Sequence, residues 1–177
     1  RTVDGGTFWT DVTGTLPNRY PLDIAVDPRD ANVFYAAMGG FGTGHFFKST
    51  DGGTSWTDIT GTLPDAPGTA VVVDPDDSQI VYVGNDVGVF VTTDGGASWS
   101  SFSQGLPDAV IAADLAISPS NRALRVATHG AGVYERALVG LYAADFYNLR
   151  TLTLNSPTSG EQVLAVALEP RGKALAA

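Results

Sequence analysis

Ser49-Thr50-Asp51-Gly52-Gly53-Thr54-Ser55-Trp56 decides how this chain is read, because the pattern occurs three times. Thr2-Val3-Asp4-Gly5-Gly6-Thr7-Phe8-Trp9 stands before it, and Thr92-Thr93-Asp94-Gly95-Gly96-Ala97-Ser98-Trp99 after it. The tryptophans stand 47 and then 43 residues apart. A fixed period of about 40–50 residues marks a repeat architecture, in which each unit buries its core only against its neighbours. The local chemistry is that of a tight turn. Asp-Gly-Gly supplies positive-φ positions, and the Asp carboxylate accepts hydrogen bonds from the N–H groups of its own turn. The Trp just beyond offers a large apolar face for packing between units.

The flanks repeat as well. Gly14-Thr15-Leu16-Pro17 matches Gly61-Thr62-Leu63-Pro64 and, more loosely, Gln104-Gly105-Leu106-Pro107. Ala25-Val26-Asp27-Pro28 matches Val72-Val73-Asp74-Pro75 and Ala116-Ile117-Ser118-Pro119. Val33-Phe34-Tyr35-Ala36 matches Ile80-Val81-Tyr82-Val83, and Leu124-Arg125-Val126-Ala127 follows. Each unit reads as four short β runs separated by Gly, Pro, Asp and Asn, so the repeats are all-β.

Ser/Thr-x-Asp-x-Gly-x-Ser-Trp closely resembles the Asp-box, or bacterial neuraminidase repeat, over roughly residues 1–140. The first copy departs from it with Phe8 in place of Ser, and the last unit has no box: Val133-Tyr134 runs into Glu135-Arg136-Ala137-Leu138. The resemblance implies Asp-box β-propeller blades, with the box between the third and fourth strands. Relatives include sialidases, xyloglucan-cleaving glycoside hydrolases, sortilin-type receptor domains and photosystem assembly factors. On this reading residues 1–13 finish a blade, 20–60 and 69–104 are full blades, and 109–139 is a blade lacking its box. About three blades are too few for the usual ring of four to eight. The expectation is the C-terminal part of a longer propeller, or a ring completed by remaining blades or by a second copy of the chain.

The tail, 141–177, changes character. Residues 141–147 read as a short helix or linker, and 151–154 and 162–168 as strands. They open a further β segment or complete the last blade; the sequence leaves both open.

Composition narrows the partners. The 177 residues carry 10 Lys and Arg against 19 Asp and Glu. The excess lies in residues 1–140, with 16 acids and 7 bases, while the tail holds 3 of each. Phosphate binding needs a basic patch, so nucleic acid and anionic membranes are disfavoured as partners. With no cysteine, disulfides and thiolate metal sites are excluded. No run of about 20 apolar residues is present for membrane insertion. The expected location is outside a bacterial cell or on its surface.

If strands run outward from a central channel, the first-to-second and third-to-fourth turns share one face. The other turns share the opposite face, where the family's sites open. That face offers Arg19, Tyr20, Phe41, His45, Asn85, Asp86 and His129 as ligand-binding candidates. Asn85-Asp86-Val87-Gly88 resembles the segment that carries one catalytic carboxylate in xyloglucan-cleaving relatives. Asp86 is thus the candidate catalytic group, with a plain turn residue as the rival reading. Glycoside cleavage generally requires two carboxyl groups, and the equivalent turns, Gly39-Gly40-Phe41-Gly42 and Thr128-His129-Gly130, contain no acid. Asp23 and Asp114 sit at equivalent places on first strands and face the channel or cap strand starts. The boxes, with Asp4, Asp51, Asp94, Trp9, Trp56 and Trp99, read as structural. His45 and His129 lack partners at metal-ligand spacing. Sialidase chemistry needs an arginine cluster, and only Arg19 is suitably placed. The reading calls for no metal or cofactor. It favours a noncatalytic scaffold binding glycan or protein, with a fragment of a xyloglucanase-like or sialidase-like hydrolase as the alternative.

Overall fold

Short runs of Val, Ile, Phe and Tyr between turn residues bury too little surface to stand alone, so they pair as strands and stack as sheets. In a computed structural model they do so repeatedly. The structure describes residues 1–140, together with the backbone of two strands, Val166–Glu169 and Lys173–Ala176. Arg1–Leu138 forms one compact unit and Val139–Ala177 another.

The first sheet is an antiparallel meander of β1 (Pro21–Asp27), β2 (Asp30–Met38), β3 (Phe46–Ser49) and β4 (Thr57–Asp58). The second repeats it with β5 (Gly68–Val73), β6 (Val81–Asn85), β7 (Gly88–Thr92) and β8 (Ser100–Ser101). The third has three strands, β9 (Ala112–Ser118), β10 (Ala123–Thr128) and β11 (Gly132–Ala137). The inner strands β1, β5 and β9 lie side by side, so the sheets radiate as propeller blades. All described elements are strands. In the second unit β12 (Val166–Glu169) pairs antiparallel with β13 (Lys173–Ala176). The strand expected at 162–168 overlaps β12, whereas the readings at 141–147 and 151–154 lie outside the described residues.

Adjacent blades meet through alternate side chains. Tyr35, Ala37 and Phe46 of the first blade pack on Val71, Val73, Val81 and Val83 of the second. Tyr82, equivalent to Tyr35, is also buried. The third blade breaks this series. The strand register sets Arg125 opposite Ala116, as Tyr35 is opposite Ala25 and Tyr82 opposite Val72, one residue from the match the sequence repeat gives. Arg125 pairs with Glu135 at 2.7 Å on a half-exposed surface. The turns tie blades together too. Buried Asp74, between β5 and β6, receives a two-pronged ion pair from Arg122 of the β9–β10 turn, both bonds at 2.8 Å. Arg122 also reaches Asp76 at 2.7 Å.

The Asp-Gly-Gly turns share one design. In the second copy Ser49 Oγ donates to Asp51 Oδ1 at 2.8 Å. The same Asp51 oxygen accepts from Ser55 N at 2.9 Å, and Ser55 Oγ donates to Oδ2 at 2.7 Å. The Ser55 N–H, its hydroxyl and the Ser49 hydroxyl pull the Asp51 carboxyl down to about 2. Asp94 is held at about 2 by the hydroxyls of Ser98 and Thr92 and the Ser98 N–H. In the first copy Phe8 has no hydroxyl to offer; Asp4 is lowered by the Thr2 hydroxyl and the Phe8 N–H. Gly53 and Gly96 have φ of +91° and +102° and pack their bare Cα against Val12 and Ile59. A Cβ there would come within 2.7 Å of Val12 Cβ and 2.9 Å of Ile59 Cδ1.

The tryptophans then close the blade interfaces. Trp56 is 8% exposed and packs with Phe34, Ala36, Met38, Phe47 and Leu16. Trp99 is half-buried, packed against the cluster that holds Phe46, Leu63, Val81 and Val83, with its ring centroid 6.2 Å from that of Phe46. Trp9, by contrast, is 76% exposed.

Candidate functional site

The two faces of the blades differ in chemistry. On one, the Asp-Gly-Gly turns lie against the first-to-second turns: Gly52 N donates to Asn32 O and Gly95 N to Gln79 O, both at 2.9 Å. On the other, the β2–β3, β6–β7 and β10–β11 turns meet the segments that lead from one blade to the next. Gly39 N donates to Tyr20 O at 2.8 Å, and His129 N donates to Ile111 O at 3.0 Å. All seven ligand-binding candidates belong to this second face, but they are not equally available.

Arg19, Tyr20, Asn18, Gly39 and Gly40 line one cleft of about 440 Å³. Tyr20 is 79% exposed, and Phe41, on the same β2–β3 turn as Gly39 and Gly40, is 61% exposed. The turn is glycine-rich for a reason. Gly40 has φ +94° and the Arg19 guanidinium lies where its Cβ would be. The result is an aromatic rim flanked by one cation.

His45 stands beneath this rim, not on it. It is buried, and its Nε2 is 2.9 Å from Asp65 Oδ1. With Nε2–H as donor, Nδ1 is a buried acceptor without a partner. Asp65 also accepts from Gly42 N at 2.7 Å. That N–H, and then the His45 hydrogen bond, lower the Asp65 carboxyl below its ordinary range. Asp65 thereby ties the β2–β3 turn to the segment between β4 and β5. Sequence reading passed over it, although Leu63-Pro64-Asp65 placed an acid on this face.

Asn85 is fully buried. Its Oδ1 accepts from Val87 N at 3.0 Å and shapes the β6–β7 turn, while Nδ2 has no partner. Asp86 comes next, partly exposed, on a turn whose neighbour Val87 is open to solvent. His129 is exposed on the β10–β11 turn. Asp86 and His129 therefore sit on separate blades, apart from the Arg19–Tyr20 cleft. Asp23 is a clamp between blades: its Oδ2 accepts from Val71 N at 2.8 Å, while Oδ1 takes the N–H of Ile24. Asp114 holds Leu115 N in the same manner as Asp23 holds Ile24 N. Among the described residues, no group of three His, Asp or Glu is arranged to hold a metal ion.

The fold and its two faces define an all-β chain of propeller blades. Comparison with solved structures agrees. A GH74 enzyme from Niastella koreensis matches over 66% of this chain and 21% of its own, with 22% identity and a TM-score of 0.55. An ancestral GH74 enzyme matches over 61% of this chain and 13% of its own, with 28% identity and a TM-score of 0.53. YCF48 bound to a D1 peptide matches over 69% of this chain and 39% of its own, with 22% identity and a TM-score of 0.52. The chain thus spans well under half the length of each. No protein-family model matches it, and neither does any curated protein.

Proposed function

We propose that these blades are a noncatalytic propeller scaffold of a secreted or surface bacterial protein, which binds a glycan or protein ligand on the face opposite the Asp-Gly-Gly turns. The three turns are, on this reading, Asp-boxes of the bacterial neuraminidase repeat, with a structural role. The observation that carries the reading is the rim of Tyr20 and Phe41 beside Arg19. Exposed aromatic faces next to a cation stack on sugar rings or on the side chains of an extended peptide. Asp65, an acid bonded to the turn that carries Phe41, already accepts from Gly42 and His45. YCF48, a structural neighbour, is bound to a D1 peptide. Titration calorimetry with xyloglucan and β-glucan oligosaccharides and with a panel of extended peptides tests the reading. Binding lost in Tyr20→Ala and Phe41→Ala, with the fold intact, supports it. Binding unchanged by both substitutions removes it.

A second reading is a glycoside hydrolase fragment, completed by a carboxylate from other blades. Asp86 favours it, as a partly exposed acid on the same face, and so does the likeness to GH74 enzymes. Hydrolysis abolished by Asp86→Asn would establish that reading in place of the first.

A further inference from the structure

Among the described residues, no tryptophan fills the third blade's counterpart of the socket that holds Trp56 and Trp99. In the first blade Trp56 clusters with Phe34, Ala36 and Phe47, with Leu16 packed against them, and in the second Trp99 and Phe90 pack against the cluster that holds Val81, Val83 and Leu63. The strand register places Leu124, Val126 and Tyr134, and the repeat places Leu106, at the same four positions of the third blade. Those four side chains line a cleft of about 260 Å³, floored by Phe102. The polar end of the socket is marked as well. Trp56 Nε1 donates to Val12 O and Trp99 Nε1 to Ile59 O. The third equivalent acceptor, Phe102 O, is held by Arg136 Nη1 at 3.0 Å, with the guanidinium 4.0 Å above the Phe102 ring.

Among the described residues the third blade also lacks the strand that comes directly after such a tryptophan. In the complete blades the two residues beyond the indole form the fourth strand: Thr57 and Asp58 pair with Lys48 and Phe47, and Ser100 and Ser101 with Val91 and Phe90. Among the described residues the third sheet ends at β11, with no strand paired to its outer side. The missing parts lie at the other end of the same unit. Residues 1–11 carry an intact Asp-Gly-Gly turn, an exposed Trp9, and Thr10 and Asp11 outside any sheet. A Cβ added at Gly6, whose counterparts pack on Val12 and Ile59, would meet nothing within 4 Å.

We propose that two copies of this chain close on each other, with Trp9 of one seated in the third-blade socket of the other. Its indole N–H takes over Phe102 O, and Arg136 swings out to solvent. Thr10 and Asp11 then pair with Glu135 and Tyr134 of the second copy as its fourth strand, and Gly6 packs on Phe102. The docking also covers a bare row on β1. Ile24 and Val26 are half-exposed, whereas Val71 and Val73, their equivalents on β5, are buried against the preceding blade. Two sets of three blades then make a six-bladed ring, within the usual range of about four to eight, and no blade edge remains free.

Sedimentation equilibrium of the purified chain, with Trp9→Ala beside it, tests this directly. Trp9 is exposed in the single chain, so its removal leaves each copy folded. The expected result is a dimer that Trp9→Ala weakens about 100-fold, as for a buried aromatic anchor. Because the chain has no cysteine, mixed Thr10→Cys and Glu135→Cys chains should form a disulfide with each other and neither with itself. A monomer at every concentration overturns the proposal. So does a dimer indifferent to Trp9→Ala, or the absence of the mixed cross-link. In a Thr10→Cys/Glu135→Cys double variant, a bond closing within one chain also overturns it.

Discussion

The indole N–H of Trp56 donates to the carbonyl oxygen of Val12 at 3.0 Å, across 44 positions of sequence. Trp99 makes the same bond to Ile59 at 2.7 Å, one repeat later. The turn motif is therefore a device for joining blades. Its carboxylate folds the turn, its second glycine lets the neighbouring segment approach, and its tryptophan reaches across to that segment. Packing and a hydrogen bond are both at stake in that one side chain, and two substitutions separate them.

Trp56→Ala removes a buried aromatic and leaves a cavity beside Phe34 and Phe47, at a cost of about 3–5 kcal/mol. Trp56→Phe keeps most of the apolar area but leaves Val12 O without its donor, at a cost of about 1–3 kcal/mol. Urea unfolding monitored by circular dichroism should rank wild type above Phe and Phe above Ala. Equal midpoints for wild type and Trp56→Phe would show that the bond to Val12 contributes nothing.

The turn carboxylates give the fold an acid limit. Asp51 and Asp94 move from 3.8 in the free side chain to about 2 in the fold, because serine and threonine hydroxyls and turn N–H groups hold the charged form. Since the folded values are depressed, the stabilisation is complete above 3.8 and is lost as pH falls from there through about 2. Thermal melts between pH 5 and pH 2 should show a falling Tm. The Asp51→Asn/Asp94→Asn double variant, less stable at pH 5, should lose less over that window. Parallel curves for the two proteins would assign the acid sensitivity to other groups.

Arg122 and Asp74 form the most buried ion pair that joins two blades, with Asp74 fully buried and Arg122 only 18% exposed on its side chain. Arg122→Ala leaves the Asp74 carboxylate with the Asp76 N–H but no cation. Breaking a buried pair from one side costs about 3–5 kcal/mol. Arg122→Ala/Asp74→Ala should recover a substantial part of that loss. If the single substitution costs under about 1 kcal/mol, as at a solvent-exposed pair, the interface between the second and third blades does not depend on this contact.

Much of this was legible in the sequence because the repeat is written in local chemistry. Turn glycines, a carboxylate two residues after a hydroxyl, and alternating apolar runs each act within a few positions of themselves. The four strands of each complete blade and the two faces come from that. The harder parts depend on what the third dimension brings together. His45 looks like a surface imidazole until the segment carrying Asp65 folds over it. Asn85 looks like a polar contact until its turn closes around Oδ1. Arg136 falls on a strand with no motif at all, yet it occupies the acceptor that a tryptophan takes in the other two blades. Only the spatial superposition of repeats reveals that substitution.

The final prediction concerns catalysis: the purified chain hydrolyses neither xyloglucan, mixed β-glucans nor sialyl substrates. Glycosidases place two carboxyl groups on either side of the scissile bond, about 5 Å apart when retaining and about 6.5–9.5 Å apart when inverting. On the candidate face Asp86 stands on the β6–β7 turn of the second blade. Asp65 is engaged by Gly42 N and His45, and its lowered pKa suits it poorly to deliver a proton as general acid. Asp23 is committed to Val71 N across the blade interface. The equivalent turns of the first and third blades present Phe41 and His129 in place of an acid. Reducing-sugar release should stay at background and be the same for Asp86→Asn. Turnover that disappears in Asp86→Asn would mean that a second carboxylate reaches the site, and the hydrolase reading would replace the scaffold.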